Sequence, residues 1–152
     1  MRRREKQITE RAELHRILRE ARMCRLAVSE GDRPYLVPLT FALDGDHLVL
    51  HAARAGRKLD VLRRNPAVCF EVEEGVEVAP AKAPCGFGMR YRTVIGQGEV
   101  EFVEDPAERA RLLALFGPRY GAPDHPLPDA EVKRSCVLRV RVLELTGKRS
   151  PA

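Results

Sequence analysis

The stretch HAARAGRKLDVLRRNPAVCFEV, residues 51–72, runs from the end of an apolar strand through a short helix into a second apolar strand. Leu59 and Leu62 recur at helical spacing, which predicts a helix over residues 57–64 with both leucines facing inward. Asn65-Pro66 ends that helix, because proline disfavours helical angles in the residue before it. A histidine, a glycine and two adjacent cations therefore stand together where a strand turns into a helix.

The cation pair Arg57-Lys58 follows Gly56 at the predicted helix start. A helix begins with unpaired N–H groups and the positive end of its dipole, so two cations there are unfavourable unless an anion is present. Gly56 can adopt backbone angles that direct amides toward a ligand. A phosphate would satisfy all of these groups together. The alternative, in which both side chains point into water, stays open at this stage.

His51 ends the preceding strand, five residues before Gly56. A single strand histidine is more often half-buried with a backbone partner than functional. Its closeness to the cationic turn raises the case for function, and its unperturbed pKa of about 6.5 suits proton transfer near neutral pH.

The rest of the chain reads as a series of strands with few helices. Cys24, Leu26 and Val28 alternate on one strand face, and residues 35–43 read as the next strand, which contains Pro38. A proline there predicts a sheet edge, a bulge or a ligand beside the strand. The turn Asp44-Gly45-Asp46 predicts a hairpin.

Residues 73–90 read as a loop, 91–103 as a strand and 136–145 as the last strand. Gly96 and Gly98 predict a bulge or a close backbone approach. The total is six strands, mostly in hairpins, with no βαβ rhythm. We therefore expect a mainly β protein, a six-stranded antiparallel barrel with flanking helices, as one domain over residues 1–152.

Composition narrows the function classes. The chain of 152 residues carries a net charge of +5, but aromatics make up only 5% and tryptophan is absent, so a base-stacking nucleic-acid surface is disfavoured. The four scattered cysteines give no metal-ligand spacing, so no metal site is expected. No apolar run approaches the roughly 20 residues of a membrane span. We expect a cytoplasmic protein with a small anionic ligand.

Residues 33–72, RPYLVPLTFALDGDHLVLHAARAGRKLDVLRRNPAVCFEV, followed by MRYRTVIGQGEVEFVEDP at 89–106, resemble the flavin-binding split-barrel superfamily related to pyridoxamine 5′-phosphate oxidase. The branch with the nitroimidazole-resistance (Nim) proteins is the nearest. The resemblance implies a six-stranded split barrel that forms a homodimer with FMN at the subunit interface. It also implies the following cofactor contacts: Val37, Pro38, Leu39, Thr40, His51, Ala52, Ala53, Gly56, Arg57, Lys58, Tyr91 and Thr93, the last two from across the interface.

The same resemblance implies an FMN-dependent oxidoreductase that reduces nitroimidazole-like small aromatic substrates. Because His51 stands at the strand end just before the cationic turn, we expect it to protonate the reduced substrate or to orient it. Two alternatives stay open. One is a non-catalytic module that binds a flavin, a deazaflavin or haem. The other is a basic barrel that binds single-stranded nucleic acid.

Overall fold

The computed structural model describes residues 4–122 and 127–150. The strands are β1 (Gln7–Ile8), β2 (Cys24–Glu30), β3 (Arg33–Leu39), β4 (Ala42–Asp44), β5 (His47–Ala53), β6 (Ala67–Ala79), β7 (Gly88–Phe102) and β8 (Ser135–Ser150). The helices are α1 (Arg11–Glu20), α2 (Arg57–Arg64), α3 (Pro106–Ala114), α4 (Phe116–Tyr120) and α5 (Asp129–Arg134). Two short 3₁₀ turns cover Arg4–Lys6 and Pro84–Gly86.

All strands join one antiparallel sheet in the order β3-β2-β6-β7-β8-β5-β4, and β1 pairs with β8. The sheet curls around a common apolar core to form a barrel. Among the described residues β3 and β4, at the two ends of this order, do not pair with each other, so the barrel is split. The mainly β, antiparallel split barrel expected from the sequence is confirmed.

The strand count differs from the expected six. The stretch predicted as one strand over residues 35–43 breaks at Thr40 and Phe41 into β3 and β4, and a two-residue strand, β1, pairs at the N-terminal side. Pro38 lies on β3, which is a sheet edge, so the edge interpretation of this proline is the one observed.

The barrel interior follows from strand alternation. Leu26, Phe70 and Val94 are fully buried on neighbouring strands. Gly96 lies beneath the Phe70 ring, where an added Cβ would come within 2.2 Å of Cζ. Gly98 lies at a register shift between β7 and β8, and a Cβ there would meet the Arg141 carbonyl oxygen at 2.5 Å. The close approach predicted at both glycines is confirmed.

Two segments predicted as irregular belong to strands. Residues 73–79 extend β6 and residues 88–90 begin β7, so only residues 80–87 connect them. Gly75, with φ of 59°, introduces a bulge between Glu74 and Glu77 that hides the strand pattern. The last strand was predicted to end at residue 145, but β8 continues to Ser150, because this terminal segment pairs with both β7 and β1.

The elements beside the split match the sequence prediction closely. The hairpin turn has Gly45 at φ of 59°, and β5 pairs with β8 from His47 to Ala53. Helix α2 covers residues 57–64 as predicted, with Leu59 and Leu62 buried. Within the described parts of the chain, no helix is both long and apolar enough to cross a bilayer.

Candidate functional site

An open groove of about 450 Å³ lies between β3, the end of β5 and the first turn of α2. It is formed where the barrel is split, so its walls come from elements that do not pair with one another. The lining residues are Tyr35, Leu39, His51, Ala52, Ala53, Ala55, Gly56, Arg57, Lys58 and Leu59.

Most of the residues singled out from the sequence meet in this groove. Leu39 stands on one side, and the run His51 to Ala53 with Gly56, Arg57 and Lys58 forms the other. Sequence reasoning missed Tyr35, Ala55 and Leu59 as lining residues. Tyr35 could have been found, because it shares a strand face with Leu39 at the strand period of two.

Three more residues predicted to contact the cofactor, Val37, Pro38 and Thr40, lie on or directly after β3. Val37 is half-buried and packs against the core, whereas Pro38 and Thr40 are exposed. Pro38 points to the opposite face of β3 from Leu39, since successive side chains alternate. None of the three lines the groove within this chain, and their contact with a cofactor stays a prediction.

Tyr91 and Thr93 lie on β7, which β2 and β6 separate from β3 and which β8 separates from β5. The Thr93 hydroxyl lies 2.7 Å from a Glu71 carboxylate oxygen and 2.9 Å from the Val72 carbonyl oxygen. Tyr91 contributes to a separate cleft beside Arg90 and Arg149. The structure does not bring these two residues to the groove of the same chain, and their contact from a second subunit stays a prediction.

Gly56 is the N-cap of α2 and has φ of 139° and ψ of 158°, a conformation that only glycine adopts readily. Its carbonyl accepts the N–H groups of Leu59 and Asp60 at 2.9 and 3.2 Å. No side chain caps the helix start. The first N–H groups of a helix lack intrahelical partners, so this turn offers donors and the positive dipole end to a ligand.

The Arg57 guanidinium is held by neighbours on the rim of the groove. Its Nε and Nη2 donate to Glu30 Oε2 at 3.0 and 2.8 Å, and it lies 4.4 Å from the centre of the Tyr35 ring. Arg64 also donates to Glu30, at 3.0 Å. Hydrogen bonding from Arg57 is the main cause that lowers the pKa of Glu30. Arg57 is therefore preoriented by a carboxylate and an aromatic face, with its Nη1 edge free of both bonds to Glu30.

Lys58 is half-buried in the groove wall. Burial lowers the pKa of its ammonium, because a charge loses solvation in the protein. Within residues 4–122 and 127–150, its ammonium has no ion pair or hydrogen bond. A desolvated cation without an anionic neighbour favours an anionic ligand, so Lys58 supports the anion interpretation of the cation pair more directly than Arg57 does.

His51 completes the groove at the end of β5. Its ring is partly exposed and meets the Phe116 ring edge-on, with centroids 4.7 Å apart and an interplanar angle of 89°. Burial lowers the pKa of His51 first, and the Lys58 charge lowers it further. The imidazole is therefore neutral near neutral pH and offers one hydrogen-bond donor and one acceptor.

Comparison with known proteins gives the groove a family context. The family model described as pyridoxamine 5′-phosphate oxidase matches residues 10–149. A curated but uncharacterised protein from Rhizobium meliloti, RA0666, is 33% identical over 67 residues, and this match covers 44% of each chain. The aligned part is thus less than half of that relative's length.

Solved structures extend the likeness over nearly the whole fold. A candidate 5-nitroimidazole antibiotic resistance protein from Bacteroides thetaiotaomicron superposes with a TM-score of 0.83 at 29% identity, over 93% of this chain and 85% of that one. The flavocytochrome Anf3 from Azotobacter vinelandii gives 0.85 at 20% identity, over 100% and 72%. An FAD- and haem-binding protein from Mycobacterium smegmatis gives 0.85 at 24%, over 97% and 74%. Because the family model spans nearly all of the described fold, the chain belongs to the pyridoxamine 5′-phosphate oxidase family.

Proposed function

We propose that this protein is an FMN-binding oxidoreductase that reduces small nitroaromatic compounds of the nitroimidazole type. The observation that carries the proposal is the groove at the split of the barrel, where an apolar wall, a partly exposed histidine and an uncapped cationic helix start converge. The relative described as a candidate 5-nitroimidazole resistance protein, at 29% identity over 93% of this chain, supports the substrate class.

The groove residues fit FMN. Leu39, Ala52 and Ala53 offer the apolar surface that a planar ring system requires, and they lie on the same groove as the cationic corner. At that corner the first amides of α2, the Lys58 ammonium and the free edge of Arg57 suit a terminal dianionic phosphate. Lys58 lacks an anionic neighbour among the described residues. A bound phosphate would supply the missing negative charge.

When bound, FMN would accept electrons in pairs and pass them on to the substrate. The chain's own residues bind it, orient the substrate and handle protons. His51 is the titratable group beside the apolar wall, and its neutral imidazole can hold a substrate oxygen through its N–H. An anion beside Lys58 would offset the charge that lowers the pKa of His51, so the imidazole would protonate more readily with cofactor bound.

The first experiment is an absorption spectrum of the purified protein, followed by identification of the released chromophore. The proposal expects flavin bands, and release of FMN in about one equivalent per chain. Reconstitution of any colourless fraction with FMN, FAD and haem in parallel makes the result independent of loading during expression. Failure to bind FMN under these conditions contradicts the proposal.

The cationic corner is tested by the double variant Arg57→Gln with Lys58→Met. Loss of two charge-assisted contacts to phosphate predicts at least about a hundredfold weaker FMN binding, measured by flavin fluorescence quenching. Riboflavin, which lacks the phosphate, is the matched ligand control and should bind both proteins alike. Equal FMN affinity in the variant and the parent protein would remove the phosphate from this corner.

The role of His51 is tested with His51→Ala at saturating FMN. We expect turnover of a nitroimidazole to fall about 10²-fold or more, the size of a general acid contribution, while FMN remains bound. Unchanged turnover with full flavin occupancy would remove His51 from the chemistry.

A second candidate function is cofactor binding without nitro reduction. The two neighbours with the TM-score of 0.85 are described as a flavocytochrome and as an FAD- and haem-binding protein, which makes FAD or haem the specific alternatives to FMN in this fold. A Soret band in the spectrum would favour haem. A deazaflavin would be recognised by mass spectrometry of the released chromophore.

We further propose that the protein acts as a homodimer, with FMN at the subunit interface. Tyr91 and Thr93 can reach a groove only from a second copy, given their separation from β3 and β5 in the sheet. Leu36, Ile95 and Leu143 are 57, 44 and 57% exposed, so apolar surface is available for association. Sedimentation velocity at low micromolar concentration tests this proposal, and a monomer that still holds FMN would contradict the interface placement.

A further inference from the structure

The short helix α4 connects three separate parts of the molecule, of which one, the His51 ring, lines the groove. It lies directly after α3 and ends at Gly121, which has the left-handed conformation at φ of 79°. Its side chains contact the end of α1, the break between β3 and β4, and the His51 ring. His51 lines the groove, whereas no residue of α4 itself does, so α4 acts on the site through other residues.

Arg119 fixes α4 to the end of α1. Its Nη2 donates to the carbonyl oxygens of Leu18 at 2.9 Å and Ala21 at 2.6 Å, and its Nη1 to that of Arg19 at 3.1 Å. These are the carbonyls that a helix end leaves without intrahelical partners. The guanidinium also lies 4.2 Å from the centre of the Phe41 ring. Helix α4 is thus attached through the Arg119 side chain to the C-terminal end of α1.

Tyr120 supplies the hydrogen bonds that are missing where β3 breaks from β4. Its hydroxyl oxygen accepts the Phe41 N–H at 3.0 Å. The hydroxyl hydrogen can go to the carbonyl oxygen of Phe41 or of Arg22, each at 2.9 Å. Phe41 follows Thr40 in the two-residue gap of the sheet, so one phenol group bonds both backbone groups of Phe41 where β3 has ended.

Phe116, on the same helix, contacts His51 in the opposite wall of the groove. Its ring meets the His51 imidazole edge-on at 4.7 Å and stacks against the Tyr120 ring at 6.3 Å with an interplanar angle of 17°. Edge-to-face contacts restrict ring orientation, because one ring presents its positive edge to the negative face of the other. The stacked pair therefore links the imidazole to the β3–β4 junction.

We propose that Phe116 and Tyr120 are positioning residues of the groove: Phe116 fixes the plane of the His51 imidazole, and Tyr120 fixes the β3–β4 junction to which the same helix is bonded. The proposal rests on the proposed function only for the chemical role of the imidazole. The positioning itself is a property of the polypeptide, and it can be measured without a cofactor or a substrate.

The test is NMR spectroscopy of the His51 ring in Phe116→Ala, Phe116→Leu and the parent protein. In Phe116→Ala the His51 ring protons lose the ring-current shift, and the titration midpoint of His51 rises toward 6.5, because burial is its main depressing cause. Phe116→Leu keeps apolar contact, so the midpoint stays low while the ring-current shift is lost. Phe87→Ala removes an exposed ring from the 80–87 connection and is the matched control, which should leave the His51 signals unchanged.

Tyr120→Phe is the second variant. It keeps every carbon atom of the side chain that joins α4 to the sheet and removes only the hydroxyl group. Loss of the phenol hydrogen bond predicts about fivefold faster hydrogen exchange at the Phe41 amide. The His51 signals should shift in the same direction as in Phe116→Ala, but less. Unchanged Phe41 exchange in Tyr120→Phe, or unchanged His51 signals in either folded Phe116 variant, overturns the proposal.

A functional measurement separates this proposal from the proposed function. With FMN bound, Phe116→Ala should lower kcat for nitroimidazole reduction about tenfold, the scale of a misoriented group, while FMN affinity changes less than about threefold. If the parent protein neither binds FMN nor turns over, the proposed function fails while the NMR results still decide the positioning. A fall in FMN affinity that matches the fall in kcat would show that α4 only supports the groove wall, and would overturn the role of Phe116 in orienting His51.

Discussion

The barrel interior and the rim of the groove, at the start of α2, contribute to stability in opposite ways. Leu26, Phe70 and Val94 are fully buried and apolar, and each sits where strand alternation requires it. At the rim, Gly56 holds a conformation restricted to glycine and Lys58 carries a desolvated charge. The interior contributes stability, whereas the rim reduces it at positions where a ligand can recover the loss. This contrast supports the proposal that the rim is the functional part, and substitutions can test it.

The largest effect is expected in the interior. Phe70→Ala removes a fully buried ring that packs on Gly96, so the cavity left behind should lower the free energy of unfolding by about 3–5 kcal/mol. Urea denaturation followed by circular dichroism measures this loss. Phe87→Ala, at a ring that is 52% exposed, is the control and should stay within about 0.5 kcal/mol of the parent protein. Comparable losses in the two variants would mean that Phe70 is not a core residue.

A smaller effect is expected at the rim from Gly56→Ala. A Cβ at Gly56 meets no atom within 4 Å, so its whole cost is the backbone strain at φ of 139°, about 1–3 kcal/mol. Gly88→Ala is the matched control, because its Cβ also meets nothing and its φ is not positive. The difference between the two unfolding free energies isolates the strain. If both variants unfold alike, Gly56 stores no strain.

The sequence allowed the prediction of those parts whose signal is local. Helix α2 was predictable because its two inward leucines and the terminal Asn65-Pro66 lie within ten residues of each other. The hairpin turn at Gly45 was predictable for the same reason, because Asp44-Gly45-Asp46 is a typical turn sequence. The extension of β6 past Glu73 was not predictable, because Val76 and Val78 are 47 and 60% exposed and their strand is defined by pairing with distant β7.

The candidate site also has a part with a local sequence signal and a part without one. The cluster from His51 to Lys58 is contiguous in the chain, so a reading of the sequence could find it. The groups that contact it are distant in the chain: Glu30 holds Arg57 from 27 residues away, and Phe116 meets His51 from α4. Tertiary contacts of this kind require the fold.

A still smaller effect, of opposite sign, is expected from Lys58→Met in the protein without ligand. The pKa of Lys58 is lowered in the folded state, so the unfolded chain binds more protons as pH approaches the ordinary value of 10.5. The charge therefore costs stability at neutral pH, and this cost is relieved as pH rises through the folded pKa. Lys58→Met should raise the unfolding free energy slightly at pH 7 and reduce its rise between pH 7 and 10.5.

Urea midpoints at pH 7 and at pH 9.5 measure this effect for the parent protein and for Lys58→Met. Lys82→Met, at an exposed lysine in the 80–87 connection, is the control and should change neither midpoint. A destabilised Lys58→Met would mean that the ammonium already has a stabilising partner, and the rim would then resemble the interior at this position. The same variant should bind FMN more weakly, so stability and affinity move in opposite directions.

The smallest effect concerns Glu30, which joins the rim to the barrel through Arg57. Its pKa is lowered below 4.5, chiefly by the hydrogen bond from Arg57, so it contributes stability that is complete above pH 4.5 and is lost as pH falls through the folded pKa. Glu30→Gln should therefore flatten the acid limb of the stability curve below pH 4.5, measured by urea midpoints from pH 6 to pH 3. Glu104→Gln, at an exposed carboxylate, is the control and should keep the acid limb of the parent protein.

Since Glu30 also restrains the guanidinium of Arg57 beside Tyr35, Glu30→Gln should weaken FMN binding although it removes a negative charge near the phosphate. Tighter binding would mean that Glu30 competes with phosphate for Arg57 instead of orienting it, and preorganisation of the rim would then rest on Lys58 and the helix start alone.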